Sequence, residues 1–166
     1  YDCGYTTPAE IRADWSPILS AYIVEALIKA SGLKGDAAKR FVNLHSHSVT
    51  VTWGQAIEEF RTNEIPKWEQ RVEKALPNTE QLSPDCFGAL VSLAYNRGTG
   101  GFHDPGSRFA ELRAITSHMQ NKQFDKIPNE FLSMRRLWPS MAGLRKRREQ
   151  EAALFTKGLK TATLPL

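Results

Sequence analysis

Leu82-Ser-Pro-Asp-Cys-Phe-Gly-Ala-Leu-Val-Ser-Leu-Ala-Tyr-Asn-Arg-Gly-Thr-Gly-Gly-Phe102 is the stretch on which the fold turns. Ser83-Pro84-Asp85 opens a helix, with a capping side chain, a proline in the first turn and an acid favoured by the helix dipole. Phe87, Ala89, Leu90, Val91, Leu93, Ala94 and Tyr95 then make the cylinder apolar nearly all round. A helix of that kind belongs in the middle of a bundle, covered on every side. It ends at Tyr95-Asn96-Arg97-Gly98, where two polar side chains stand at the edge of the apolar cylinder. Gly98, Gly100 and Gly101 then allow a ligand or another segment to come close to the backbone. For an isolated Asn-Arg-Gly, a simple helix cap explains the residues as well.

Working outward, helix signals dominate. Thr7-Pro8-Ala9-Glu10 reads as a capping box with proline at the first helical position, and a short helix through Trp15 follows. Ile18, Tyr22, Ile23, Ala26 and Leu27 form an apolar stripe at helical spacing, broken by Gly32 and Gly35. A third helix starts near Asp36 and carries Ala37, Ala38, Phe41 and Leu44. Val49-Thr50-Val51 alone has strand character. Thr52-Trp53-Gly54-Gln55 is a second capping box, and Pro66 starts a segment with Trp68, Val72 and Leu76 facing inward. Further helices are expected over 108–119, 125–135 and 142–157. The expected architecture is all-α, a bundle around a buried central helix, with at most a small amino-terminal hairpin.

The 166 residues suit one domain, with 41% apolar and 24% charged residues, ordinary for a globular protein. No window approaches the roughly eighteen uninterrupted apolar residues of a membrane span. Residues 134–166 hold eight Lys or Arg against two Glu, a local charge of +6 that leaves −2 for the rest. Such an end suits a polyanionic target, nucleic acid or a bacterial envelope; a solvated helix face explains it equally well. Cys3 and Cys86 belong to no metal-binding cluster. They read either as two buried thiols or as one disulfide tying the amino end to the middle of the chain. His45 and His47 are spaced to share a metal on a strand, but no third ligand is evident, so no metal and no cofactor is expected. Trp15, Trp53, Trp68 and Trp138 are able to stack on sugar rings, though most are expected in the core.

The run Ala89 to Phe102 resembles the central helix of the phage-type lysozymes, glycoside hydrolase family 24, with its Ala-Leu-Val-Ser-Phe-aromatic-Asn-x-Gly-x-Gly-x-Phe pattern. Trp138, Gly143-Leu144, Arg147-Arg148, Glu149 and Leu154-Phe155 are similar to the family's closing Gly-Leu-x-x-Arg-Arg-x-x-Glu helix. Thr50 to Phe60 is similar to the helix start that precedes the central helix. Gly4-Tyr5-Thr6-Thr7 resembles the Gly-Tyr-Gly-His-Thr turn without its middle Gly-His. The resemblance is strong in the centre, fair at the carboxyl end and poor at the amino end. It implies one lysozyme-like domain over 1–166, with a small lobe over about 1–50 and a helical lobe over about 51–166.

It also implies a site. In the family, a glutamate ending the first helix is the acid, an aspartate follows, and a threonine lies on a small hairpin before the Gly-Tyr turn. That glutamate is expected ahead of Tyr1. Asp2 falls at the threonine position in an ungapped alignment. With a gap it falls at the aspartate position, and Thr6 or Thr7 becomes the threonine. Glu10, Asp14, Glu25, Asp85 and Glu111 are expected at helix starts or on polar faces. Tyr5, Asn96, Arg97, Gly98 and Phe102 are the implied substrate-binding residues.

The implied activity is that of an N-acetylmuramidase, an endolysin-type hydrolase cutting the β-1,4 bond between N-acetylmuramic acid and N-acetylglucosamine. The partner is then the peptidoglycan glycan strand, met by a monomer that is periplasmic, secreted or released from infected cytoplasm. The alternative is a wall-binding or tail-structural module of the same fold without activity. A nucleic-acid binder is disfavoured, because no helix-turn-helix is recognisable.

Overall fold

The structure is a computed structural model that describes residues 5, 7–47 and 49–162. The chain forms two compact units, residues 1–66 and 67–166. Among the described residues there is no strand, and Val49 to Val51 belong to no helix. The expected hairpin is therefore absent from that run.

The amino-terminal unit is built on local signals. Helix α1 (Pro8–Trp15) is opened by the Thr7 capping box, in which Glu10 donates its backbone N–H to Thr7 Oγ1 at 3.4 Å and its carboxylate accepts from the Thr7 N–H at 2.9 Å. Helices α2 (Ala21–Ala30) and α3 (Gly35–His45) follow, separated by Gly32 at a φ of +78°, a conformation that suits glycine. Ile11, Trp15, Leu19 and Val24 make this unit's core. Tyr22, placed in the apolar stripe by its spacing, is largely exposed, and so is Leu44. A unit this small has too little interior to cover every apolar position. Helix α4 (Trp53–Glu59) carries the second capping box, Thr52 with Gln55, and Gln55 Nε2 also donates to the Ile18 carbonyl at 3.3 Å. A π-helical turn, Phe60–Glu64, follows α4.

The carboxyl-terminal unit gathers around α6 (Pro84–Arg97), of which only Pro84 and Asn96 are exposed. Val72 on α5 (Ile65–Ala75) and Leu76 just beyond it pack into the same core as Leu90 and Leu93. So do Leu112, Ile115 and Met119 on α7 (Ala110–Gln120), Ile127 and Phe131 on α8 (Ile127–Ser133), and Phe155 on α9 (Ala142–Ala162). Gly158 lets α9 meet the start of α6. A Cβ there would collide with Ser83 Oγ and lie 2.7 Å from the Cys86 backbone nitrogen. Cys86 is a buried free thiol that donates to the Phe155 carbonyl at 3.2 Å, and burial pushes its pKa up. The expected pairing with Cys3 involves a residue outside the described ones.

The polar face of α9 turns inward at one place. Arg148 is 0% exposed, and its guanidinium lies 2.7 Å from the Glu151 carboxylate. Ser92 of α6 donates to the same carboxylate at 2.7 Å, and Arg147 donates to the Ser92 carbonyl at 3.0 Å. Burial pulls the Arg148 pKa down to about 10 and pushes that of Glu151 up, against the opposing pull of each partner. The glutamate paired inside this helix is Glu151; Glu149 reaches outward to Arg135 at 2.7 Å.

Arg148→Met leaves the Glu151 carboxylate short of its main partner in the interior. It should destabilise the protein by about 3–5 kcal/mol at neutral pH in urea unfolding. Without Arg148 the Glu151 pKa rises further above its unfolded value. The stability tied to its protonated form is then complete below the unfolded pKa and lost as pH rises through the folded one. The deficit of the variant should therefore shrink on acidification. A deficit that is the same at pH 4 and pH 7 contradicts the assignment.

Candidate functional site

In the amino-terminal unit, the end of α1, the end of α2 and the start of α4 enclose a cavity of about 590 Å³. Its wall is apolar: Ile11, Trp15, Leu27, Leu33, Val49 and Val51, with Tyr5 and Trp53 among the remaining lining residues. The volume is within the range of small-ligand sites, about 300–1,000 Å³. Trp15 is 3% exposed and belongs to the wall, whereas Trp53, in the first turn of α4, is 78% exposed. An indole held open at a cavity by a capped helix is a platform on which a sugar ring can stack.

Beneath Tyr5 lies a group of carboxylates that the sequence does not announce. Tyr5 donates its phenol to Glu59 Oε1 at 3.1 Å. Asp14, Glu59 and Glu64 are all buried, and one carboxylate oxygen from each lies within 4.8 Å of the others. Among the described residues this is the one such grouping of three His, Cys, Asp or Glu, and no histidine joins it. Its all-oxygen donor set is the kind a hard cation takes. None of the three lacks a partner within the protein. Asn63 Nδ2 donates to the Asp14 carbonyl at 3.4 Å, tying the π turn to α1. Asp14, expected on a polar face, is interior. The available signal was its position three residues after Ile11 and next to Trp15, on the face that α1 buries.

Of the residues singled out from the sequence, Asp2 and Thr6 lie outside the described ones. Thr7 is exposed, and its hydroxyl serves the α1 capping box, 3.0 Å from Glu10 Oε2. Tyr5 is half-buried at the cavity.

In the carboxyl-terminal unit, Asn96 is exposed at the end of α6. Arg97 is held inward: it donates to the Arg108 carbonyl at 2.7 Å, and its guanidinium sits 5.1 Å from the Trp138 ring and 5.6 Å from that of Phe109. Burial, then the neighbouring Arg108, lower its pKa. Gly98 caps α6 at a φ of +74°. A Cβ at that position would meet nothing within 4 Å, so the backbone conformation alone explains the glycine. Close approach applies to Gly101, where a Cβ would meet Phe109 and Leu112. Phe102 is 1% exposed and is a core residue.

An all-α chain with a covered central helix ending in Tyr-Asn-Arg-Gly defines a lysozyme-like class. The family model described as Phage lysozyme matches residues 35–151, well over half of the chain. The chain belongs to the phage lysozyme family. The match includes Glu59 and Glu64 and begins after Tyr5, Thr7 and Asp14. The endolysin of Bacillus phage B103 is 29% identical over 113 residues, covering 68% of this chain and 39% of that protein. The chain thus spans about two fifths of that relative's length. No solved structure matches it significantly. No helix among the described residues is long and apolar enough to cross a membrane.

The two tryptophans of the cavity should separate on mutation. Trp53→Ala should change stability by less than about 0.5 kcal/mol, as an exposed side chain does. Trp15→Ala should cost about 3–5 kcal/mol by emptying the wall. Denaturant melts of the two variants check this.

Proposed function

We propose that the protein is a peptidoglycan hydrolase of the N-acetylmuramidase type, cleaving the β-1,4 bond between N-acetylmuramic acid and N-acetylglucosamine. One observation carries the reading. A chain of the phage lysozyme family presents an exposed indole, Trp53, at a cavity also lined by Tyr5, whose phenol is fixed on a buried carboxylate. Apolar faces of pyranose rings stack on such an indole, and the ring hydroxyls reach polar atoms at the edge.

Glycoside hydrolysis needs an acid at the leaving oxygen and a second group that steadies the oxocarbenium-like transition state or directs water. In this reading the acid is a glutamate of the kind that the family resemblance implies at the end of a helix. The second group is Asp2 at the family's threonine position, or Asp2 as the family's aspartate together with Thr6 or Thr7. Tyr5 is the candidate substrate contact of the amino-terminal unit, and Asn96 is that of the carboxyl-terminal unit. Arg97, Gly98 and Phe102 act behind Asn96, supporting the helix end rather than touching the glycan. The basic helix α9 assists by drawing the chain toward an anionic wall.

Purified peptidoglycan digested with the full-length protein, then reduced with borohydride and resolved by mass spectrometry, tests the proposal. New reducing ends should be N-acetylmuramic acid. New N-acetylglucosamine ends or anhydro ends contradict the assigned bond, and no new ends contradict a hydrolase and favour a wall-binding module. Trp53→Ala should raise KM roughly tenfold, the equivalent of one aromatic stack of about 1.4 kcal/mol.

A further inference from the structure

Helix α3 is the one α-helix among the described residues that buries none of its residues, and none of them joins either apolar core. It is nevertheless strongly two-sided. At about 100° per residue, Ala37, Ala38, Phe41, Val42, Leu44 and His45 share an arc of about 160°. Asp36, Lys39, Arg40 and Asn43 occupy the opposite side. The middle of the apolar arc is half-buried, and there Phe41 stacks on His45 with ring centroids 4.4 Å apart. The two edges of the arc are open: Val42 is 60% exposed and Leu44 78%. Each stands beside a cation about one turn earlier, Val42 beside Lys39 and Leu44 beside Arg40.

Charge is concentrated in the same place. Residues 29–47 hold Lys29, Lys34, Lys39 and Arg40 against Asp36 alone, a local charge of +3, and all four cations are exposed. Asp36 sits in the first turn of α3, where it favours the helix dipole. A face that sets exposed apolar side chains beside cations fits a surface that is anionic on top and apolar beneath. Val42 and Leu44 reach into such a surface. Lys39 and Arg40 keep their charges among its headgroups while their stems lie along apolar groups. A second copy of the chain fits less well, because pairing α3 with α3 sets like charges against each other. Nucleic acid offers charge but takes its affinity from phosphate contacts, which leave Val42 and Leu44 unused. We infer that α3 is a docking face for an anionic lipid surface, on which it lies in the plane of the headgroups without crossing. The glycosidase reading gives α3 no role, and the docking stands independently of it.

Sedimentation of the full-length protein with sucrose-loaded vesicles, in about 0.1 M salt, tests it. One set of vesicles is phosphatidylcholine alone, and the other is an equimolar mixture with phosphatidylglycerol. Wild type should bind the anionic vesicles more tightly by a factor of about ten or more. Lys39→Gln with Arg40→Gln should weaken that binding about twenty-five-fold, which is about fivefold for each charge. Val42→Gln with Leu44→Gln should weaken it about tenfold with the charge unchanged. All four altered residues are exposed, so both variants keep the fold. Equal binding to the two kinds of vesicle, or binding to neither, overturns the inference. Unchanged binding in Val42→Gln with Leu44→Gln also overturns it, and marks the face as a site for a soluble polyanion. A wild-type dimer in light scattering that the same variant dissociates assigns the face to a second copy and overturns it as well.

Discussion

Helix α9 meets helix α6 closely at Gly158, and the rest of the carboxyl-terminal unit is arranged around that contact. A side chain at Gly158 would strike Ser83 and Cys86, the cap and first turn of α6, so the two helices approach only with hydrogen at that position. Just under a turn before Gly158, Phe155 fills the core against Phe131 with ring centroids 6.1 Å apart and accepts the Cys86 thiol through its carbonyl. Further back along α9, Arg148 and Glu151 enter the interior as a pair. A buried ion pair of this kind contributes little net stability, because desolvation offsets most of the attraction. Its effect is on register: Ser92 and Arg147 complete the bonding of Glu151 only when α9 lies at one height along α6.

The amino-terminal unit is held by different means. Its apolar core is small, and much of its definition comes from caps and side-chain bonds to backbone carbonyls: Thr7 with Glu10, Thr52 with Gln55, Gln55 to Ile18, Asn63 to Asp14. Each such bond contributes on the order of 1 kcal/mol, but each has a fixed direction. Direction is what a glycan site requires. In the proposed function, the aliphatic and aromatic wall of the cavity would give a sugar an apolar face, and the phenol of Tyr5, standing on Glu59, would give that wall a polar atom at a set position.

Much of this is legible in the chain itself. The capping boxes at Thr7 and Thr52 and the Ser83-Pro84 start each specify a helix by short-range chemistry, and all three helices begin there. The all-round apolar surface of the central helix carries its burial, and the Asn-Arg-Gly run with the basic closing helix carries the family. The illegible part has one physical character: charged side chains that turn inward. Asp14, Glu59, Glu64, Arg148 and Glu151 read as surface by type, because a lone buried charge is costly, and only their partners make the interior tolerable. For Glu59 the partner Tyr5 is far away in sequence and helical periodicity does not encode it, whereas Arg148 and Glu151 are spaced i, i+3 on one helix and what the sequence hides is that this face turns inward. The π turn has a local signal, Pro66, which has no N–H to give to the Thr62 carbonyl and disturbs the helix just behind it. The glycines divide their roles in a way that spacing does not reveal. Gly98 serves a cap with positive φ, while close approach falls to Gly101 and Gly158.

The claim on which the functional account depends is that glycan is met by the Tyr5 and Trp53 cavity of the amino-terminal unit. Titrating the full-length protein with a soluble chitooligosaccharide, while following tryptophan indole and tyrosine ring resonances by NMR, tests it directly. The account predicts saturable shifts in the Trp53 indole and the Tyr5 ring at one shared dissociation constant, with the buried Trp15 indole moving less. Binding that leaves Trp53 and Tyr5 unmoved, or perturbs only the basic residues of α9, contradicts it.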